Sequence, residues 1–187
     1  MELKSKRRIS FVILIVLFIL WTILIYNFSP AKIVELVGIE NSYLLAFIVA
    51  FIGGTSILFP LPYYLLVITL GAGGINPILL GLSSGTGIIL GDSTSYLIGY
   101  SGREVIPDKI KKLFDKLCNW LLSRNSFLIY IFLFLYGAMI PIPNDVITVS
   151  MGLAHYPYWK VMLPLGLGNI IFNISLALVG FYGWQIF

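Results

Sequence analysis

The sequence predicts an all-α integral membrane protein with three transmembrane helices and two re-entrant hairpins in an inverted repeat. Its composition gives the class: of 187 residues, 59% are hydrophobic and 11% are charged, whereas about 25% are charged in soluble domains. Three of the four charge-free runs exceed the ~20 apolar residues that span a bilayer as a helix; the runs are 9–31, 41–91, 125–144 and 161–187. A repeated pattern of prolines and glycines predicts the two hairpins and their arrangement as an inverted repeat. This composition excludes a soluble globule, a disordered chain and a nucleic-acid binder.

The N-terminal segment 1–30 is predicted to be a retained transmembrane helix. Four basic residues within 4–8 precede the apolar run Ile9–Tyr26, which is the charge order of a signal peptide. The run is longer than the apolar core of most signal peptides, and no small-residue cleavage site follows it. Because basic residues beside membrane segments stay cytoplasmic, we expect a cell-membrane protein with its N-terminus inside.

The rest of the chain is predicted to form one membrane domain, 31–187, with units at about 42–102 and 126–183 and a linker at 103–125. Ten of the twelve Lys and Arg residues lie within 4–8 and 103–124, so the linker should also be cytoplasmic. Its apolar residues follow helical spacing, which indicates an amphipathic helix on the membrane surface. Residues 31–42 should form a short interfacial piece on the outer side.

The long uncharged run 41–91 is interrupted first by Pro60 and Pro62 and then by Gly71. The arm between these breaks would reach only ~12 Å at 1.5 Å per residue, less than half of a ~30 Å hydrocarbon core. Residues 42–71 are therefore predicted to enter the membrane and return as a hairpin, and 77–100 to cross it.

The same pattern recurs later in the chain. Placing 59–102 over 140–183 without a gap gives ten identities, seven of them Gly or Pro. We interpret this as a duplicated unit, the alternative being a chance match of glycine-rich apolar segments. With the linker inside, the second hairpin, around 126–154, enters from the inside and 160–183 leaves outward. The two units are then inverted, as in many transporters.

Five strongly polar residues interrupt the apolar segments: Asp92, Asn144, Asp145, Asn169 and Asn173. An ionisable group in a membrane is costly and by default marks a substrate or ion path. The alternative for Asp92 is a buried hydrogen-bonding strut, and for Asn144 and Asp145 it is a helix cap. The predicted path consists of Asp92, Asn144, Asp145, Tyr96, Arg103 and Asn173. The predicted hairpin tips are Pro60, Pro62, Pro141 and Pro143, and the structural glycines are Gly71, Gly87, Gly91, Gly99, Gly102 and Gly152.

Enzyme signals are weak in this sequence. It has one cysteine, Cys118, and one histidine, His155, without metal-site spacing, nucleophile elbow or phosphate-binding loop. Two membrane Asp residues could suggest an aspartyl dyad, but 187 residues leave no substrate-holding insert. We therefore expect no enzyme, cofactor or metal. The expected partners are membrane lipids and not nucleic acid, with a homo-oligomer left open, and Lys160 should extend to the interface.

The motif Gly87-x3-Gly91-Asp92-x3-Tyr96-x2-Gly99-x2-Gly102-Arg103 and the proline hairpins resemble the DedA family, also called SNARE-associated Golgi or VTT-domain proteins. The resemblance covers roughly 42–183 and implies a lipid-handling membrane protein: bacterial members are linked to recycling of polyprenyl-phosphate carriers, and eukaryotic relatives to phospholipid scrambling. The chain departs from many members of the family. Where those members have acidic residues and arginines at or near the hairpin tips, this chain has Tyr64, Ile52, Ala138 and Asn144. Passive scrambling is thus better supported than proton-coupled transport.

Three functions follow as hypotheses. The leading one is movement of phospholipid or polyprenyl phosphate between leaflets along a polar path at the two hairpins. The first alternative is a proton- or ion-coupled transporter of a small solute that uses Asp92 and Asp145. The second is a scaffold or assembly subunit that transports nothing, which dry and fully paired burial of both Asp residues would favour.

Overall fold

The computed structural model of the protein describes residues 27–55, 62–139 and 143–183, with the single positions Val16, Leu20 and Ile23. All the elements in these ranges are α-helices: α1 (Pro30–Val37), α2 (Ile39–Thr55), α3 (Tyr63–Ala72), α4 (Pro77–Gly102), α5 (Asp108–Leu122), α6 (Ser126–Met139), α7 (Asp145–Leu153) and α8 (Tyr158–Gly183). The predicted all-α class is therefore confirmed. The predicted helix in 1–30 falls almost entirely outside the described residues.

Local sequence signals set where these helices begin and bend. Ser29 accepts a hydrogen bond from the Lys32 amide at the start of α1, and Asn76 accepts from two amides at the start of α4, as capping residues do. Gly38, with φ of +85°, separates α1 from α2, which meet at 98°. Glycine adopts this backbone conformation without steric cost.

Helices α4 and α8 form an antiparallel central pair. A Cβ atom at Gly81 would lie 2.5 Å from the Cα atom of Ile174, and one at Gly85 would lie 2.9 Å from the Cα atom of Ile170. Residue numbers thus rise along α4 as they fall along α8. Small residues allow such close backbone approach between membrane helices.

The remaining hairpin helices pack around this pair in an exchanged pattern. The first helix of each hairpin, or first arm, packs on the long helix of its own unit: α2 lies against α4, and α6 lies against α8. The second arms cross over, because α3 packs on α8 and α7 packs on α4. Each unit therefore depends on the other unit for part of its helix packing.

The glycine contacts follow the sequence duplication closely. Three contacts recur at positions 81 residues later in the chain: Gly85–Ile170 with Gly166–Ile89, Gly71–Ala177 with Gly152–Tyr96, and Gly99–Val149 with Gly180–Ile68. In each pair of contacts, the residue that comes from the first unit in one contact is replaced by its equivalent from the second unit in the other. An approximate two-fold axis perpendicular to α4 and α8 therefore relates them.

Two apolar cores lie at opposite ends of the central pair. One core contains Leu80 near the start of α4 and Ala177 near the end of α8. The other contains Tyr96 near the end of α4 and Leu165 near the start of α8. The middle of both long helices lies between these cores, and the polar residues Asp92 and Asn169 lie there.

The basic linker contains the amphipathic helix α5, as predicted. Leu121 is buried in the second core, and Leu117 and Cys118 pack against it, while the other side of the helix carries exposed charged residues. Helix α5 meets α6 at 110°. Partial burial, and after it the nearby Asp115 carboxylate, raise the pKa of the Cys118 thiol above its usual value, which keeps the thiol in its less reactive form.

Among the described helices, only Tyr158–Gly183 is by itself long and apolar enough to cross a membrane. Two more spans result if α1 with α2, and α5 with α6, each count as one bent span. Helix α4 is equally long at 26 residues, but its Gly, Ser and Thr residues lower its hydropathy. The count of three transmembrane helices stays a prediction.

We predict that Gly99→Ala destabilises the protein and that Gly102→Ala does not. A Cβ atom at Gly99 would overlap the backbone carbonyl of Val149, whereas nothing lies within 4 Å of one at Gly102. Overpacking of this kind costs about 1–3 kcal/mol. The thermal unfolding midpoint in detergent should fall for Gly99→Ala only, and equal midpoints would contradict the close contact of α4 with α7.

Candidate functional site

Asp92 is the centre of a buried polar cluster. It lies near the middle of α4, and only 1% of its surface is exposed. Its Oδ2 atom accepts hydrogen bonds from Nδ2 of Asn144 at 2.8 Å and from Nδ2 of Asn169 at 3.0 Å. One carboxylate oxygen therefore joins α4 to α8 and to the second hairpin.

Asn144 provides the link from the hairpin. It occupies the position before α7, but its side chain makes no capping hydrogen bond. Its amide instead donates to Asp92 and, at 3.1 Å, to Oδ1 of Asn169. The capping alternative raised by the sequence therefore does not describe this side chain, since its donors are directed toward the long helices.

Asp145 begins α7 and forms a second contact with α4. Ser95 donates a 2.6 Å hydrogen bond from Oγ to Oδ1 of Asp145. Ser95 is fully buried, and Asp145 is 8% exposed. The predicted path did not include Ser95. Its position three residues after Asp92, one helical turn away, is the signal that could have identified it.

Asn173 lies one turn beyond Asn169 and carries the unsatisfied group of the cluster. Its Nδ2 atom donates to the Asn169 carbonyl at 2.8 Å. Its Oδ1 atom is buried and receives no hydrogen bond from the residues that the structure describes. A buried acceptor without a donor costs about 1–3 kcal/mol. Among the described residues this oxygen is the only buried side-chain polar atom without a hydrogen-bond partner.

The cluster follows the pseudo-symmetry of the fold. The repeat places Asp92 over Asn173 and Asn144 over Tyr63. The side chains of Tyr63 and Asn173 interact, as those of Asn144 and Asp92 do. Equivalent positions thus pair in both halves, but one half holds a carboxylate with an amide and the other holds an amide with a phenol.

No described cation balances the two carboxylates. The ion pairs within the described ranges are Lys32–Glu35, Arg103–Asp115 and Lys111–Asp108. None of them includes Asp92 or Asp145. Burying a charge is costly, and hydrogen bonds from Asn144, Asn169 and Ser95 offset part of that cost. Across the described part of the chain, no three His, Cys, Asp or Glu side chains gather as a metal site.

Two predicted path residues have their hydrogen-bond partners outside the cluster, at the end where the linker packs. Arg103 forms an ion pair with Asp115 of α5 and donates to the carbonyl of Leu153 at the end of α7. Tyr96 donates a 2.7 Å hydrogen bond to the Tyr156 carbonyl. These contacts attach the linker and the α7–α8 turn to α4, and the described hydrogen bonds of Tyr96 and Arg103 do not include Asp92.

Two of the four tip prolines can be placed. Pro62 precedes α3, and the carbonyl of Pro143, just before Asn144, lies 3.4 Å from the Tyr136 hydroxyl that donates to it. Pro60 and Pro141 lie outside the described residues. Pro143 therefore stands beside the polar cluster, which connects the second tip to the middle of the central pair.

The predicted structural glycines mostly mark close helix contacts. A Cβ atom at Gly91 would lie 2.6 Å from the backbone of Gly54 in α2, and one at Gly87 would reach the Phe47 carbonyl. Gly71 and Gly152 contact the opposite long helix, and Gly99 contacts α7, whereas Gly102 has open space. The glycines therefore position Asp92 by holding α2, α7 and α8 against α4.

The family model of the VTT domain matches residues 59–182 of this chain. The match covers both long helices except the last residue of α8, together with every residue of the polar cluster. It confirms the resemblance to the DedA and SNARE-associated proteins. Neither the search of curated proteins nor the search of solved structures found a match.

We predict that Ser95→Ala destabilises the protein more than Ser84→Ala. Both serines are fully buried in α4, but Ser84 donates within its own helix to Leu80, whereas Ser95 donates to Asp145. Removing Ser95 leaves a buried carboxylate oxygen without its donor, at a cost of about 1–3 kcal/mol. The difference should appear as a lower thermal midpoint, and equal midpoints would contradict the Ser95–Asp145 contact.

Proposed function

The chain belongs to the VTT domain family, and on that premise we propose that it moves lipids between the two leaflets of the cell membrane. The substrate is a phospholipid or a polyprenyl phosphate, and its headgroup follows a polar path where the two opposed hairpins meet. The observation that carries this proposal is the cluster of Asp92, Asn144 and Asn169. These residues come from a hairpin and from both long helices, and they meet in the middle of a membrane protein.

The geometry suits a headgroup for two reasons. The amides and carboxylates replace part of the hydration that a headgroup loses in hydrocarbon, and Oδ1 of Asn173 offers an acceptor to its hydroxyl or ammonium groups. The short arms α3 and α7 measure only ~15 Å and ~14 Å at 1.5 Å per residue, about half of the hydrocarbon thickness. Short arms thin the bilayer locally, which lowers the barrier to crossing.

A proton- or ion-coupled transporter is the second candidate. The observation in its favour is that Asp92 and Asp145 have no described cationic partner, since an ionisable residue inside a membrane by default marks a substrate or ion path. In that case the two carboxylates would change charge during transport. Collapse of the transport rate when the proton gradient is dissipated would favour this candidate over passive lipid movement.

A scaffold without transport is the third candidate. Asp92 and Asp145 are both buried and hydrogen-bonded, as a purely structural role requires. The unsatisfied Oδ1 of Asn173 argues against it, because a structural cluster gains stability by pairing every buried polar atom. No acceleration of lipid movement over empty liposomes, across several lipid classes, would favour the scaffold.

We predict opposite membrane sides for the two ends of the molecule. In a Cys118→Ser background, Glu35→Cys in α1 should be labelled by an impermeant maleimide from outside the cell, and Lys112→Cys in α5 only after permeabilisation. Both positions are exposed in the structure. Labelling of both from the same side would contradict the inverted arrangement.

We predict that Asp92→Asn slows lipid movement while the fold is retained. The substitution keeps the size of the side chain and removes the charge that the Asn144 and Asn169 amides face. We expect the rate to fall about tenfold, which corresponds to ~1.4 kcal/mol in the barrier. The measurement is the exchange of leaflet-labelled phospholipid or polyprenyl phosphate in liposomes, without ATP or a proton gradient.

Asp108→Asn is the matched control for this experiment, because Asp108 is exposed at the start of α5 and lies far from the cluster along the chain. It should leave the rate unchanged. Full activity in both Asp92→Asn and Asp145→Asn would show that the carboxylates are structural and that the polar path is wrongly assigned.

A further inference from the structure

A groove of about 450 Å³ lies between α6 and α8, away from the polar cluster. Tyr130 and Phe134 line it from α6, and Trp159, Lys160, Leu163 and Pro164 line it from α8. Its volume is in the ~300–1,000 Å³ range of ligand sites. Apart from Lys160 the lining side chains are aromatic or aliphatic, with the Tyr130 hydroxyl and the Trp159 indole N–H as further polar groups.

Lys160 is the charged group of this groove. It lies in the first turn of α8 and is half-buried. Among the described residues, no carboxylate forms an ion pair with it. The apolar lining with a single cation at one end matches a molecule that has an apolar chain and an anionic head.

The position of the groove fits a lipid in the leaflet beside the linker. The α7–α8 turn that precedes Lys160 is attached to the end of α4 by the Tyr96–Tyr156 hydrogen bond, and the basic helix α5 packs at the same end. From Lys160 to Leu167, the last lining residue, the groove follows α8 for ~10 Å at 1.5 Å per residue. That length lies within one leaflet of a ~30 Å hydrocarbon core.

Pro164 adds a second polar feature at the same turn. Proline has no N–H to donate to the carbonyl four residues earlier, so the Lys160 carbonyl lacks its usual helical partner. In a membrane such a carbonyl needs another donor. A headgroup that has a hydroxyl beside its phosphate supplies both the anion for Nζ and the donor for this oxygen.

The other half of the protein lacks this arrangement. The repeat places Lys160 over Leu79 and Pro164 over Ser83. The Ser83 hydroxyl donates to the Tyr43 carbonyl of α2 at 2.7 Å, so that contact joins α2 to α4. The charged groove is thus specific to the α6–α8 side.

We propose that this groove binds one acyl chain of an anionic glycerophospholipid, with the phosphate held by Lys160. The site is distinct from the hairpin junction, and it does not depend on whether the chain moves lipids between leaflets.

The test uses the purified full-length protein in detergent and native mass spectrometry with added dioleoyl phosphatidylglycerol or dioleoyl phosphatidylcholine. Wild type should prefer phosphatidylglycerol, and Lys160→Gln should weaken its binding about fivefold, the effect of one basic residue near an anionic headgroup. Lys112→Gln is the matched control, because Lys112 is exposed on α5 at the same end. It should keep the preference.

A second variant, Leu163→Trp, fills the groove from a position that is 58% exposed, so it does not disturb the core. It should weaken binding of both lipids. Unchanged phosphatidylglycerol binding in Lys160→Gln, an equal loss in Lys112→Gln, or undiminished binding in a folded Leu163→Trp would each overturn the proposal. If Leu163→Trp does not fold, the two lysine variants decide the test.

Discussion

The structure depends on how closely α4 and α8 approach each other. At Gly81, Gly85 and Gly166 there is no room for a side chain between the two helices. This approach brings residues in the middle of each helix within hydrogen-bond reach, so that Asn169 donates to Asp92 at 3.0 Å. Because hydrocarbon offers polar groups no hydrogen-bond partners, polar side chains in the middle of a membrane pair across helices. The polar cluster thus depends on the glycines, because only their close packing brings the polar side chains of α4 and α8 within hydrogen-bond distance.

The duplicated backbone supports chemistry that differs between its halves. Glycine contacts recur at equivalent positions because backbone approach requires the same small residue in both units. The side chains at the cluster do not recur: Asp92 corresponds to Asn173, and Asn144 corresponds to Tyr63. A path through the middle therefore has a carboxylate and amides on one side and an amide and a phenol on the other. A symmetric pair of carboxylates in the same space would repel each other.

Much of the fold could be predicted from the sequence, because glycines, prolines and charges act locally or through simple rules. The repeated glycines marked Gly71 and Gly152 as structural positions without giving their contacts, and the basic residues predicted the amphipathic α5. The sequence analysis placed Asn144 in one path with Asp92, and these two side chains are hydrogen-bonded. It did not include Asn169 in that path, because no sequence pattern shows which residue of α8 faces Asp92. Arg103 shares a helix with Asp92 but lies ~16 Å farther along it. Its partner Asp115 comes from a helix whose packing no sequence pattern determined.

The exchange of the second arms affects how the protein is made. Helix α3 packs on α8, whose last residue is synthesised more than a hundred residues after α3 ends. At a ribosomal rate of about 5–20 residues per second, that interval is on the order of ten seconds. In its earlier part Asp92 has neither Asn144 nor Asn169 to donate to it, and α3 has no surface to cover it. The first unit therefore completes its packing only when the second unit arrives.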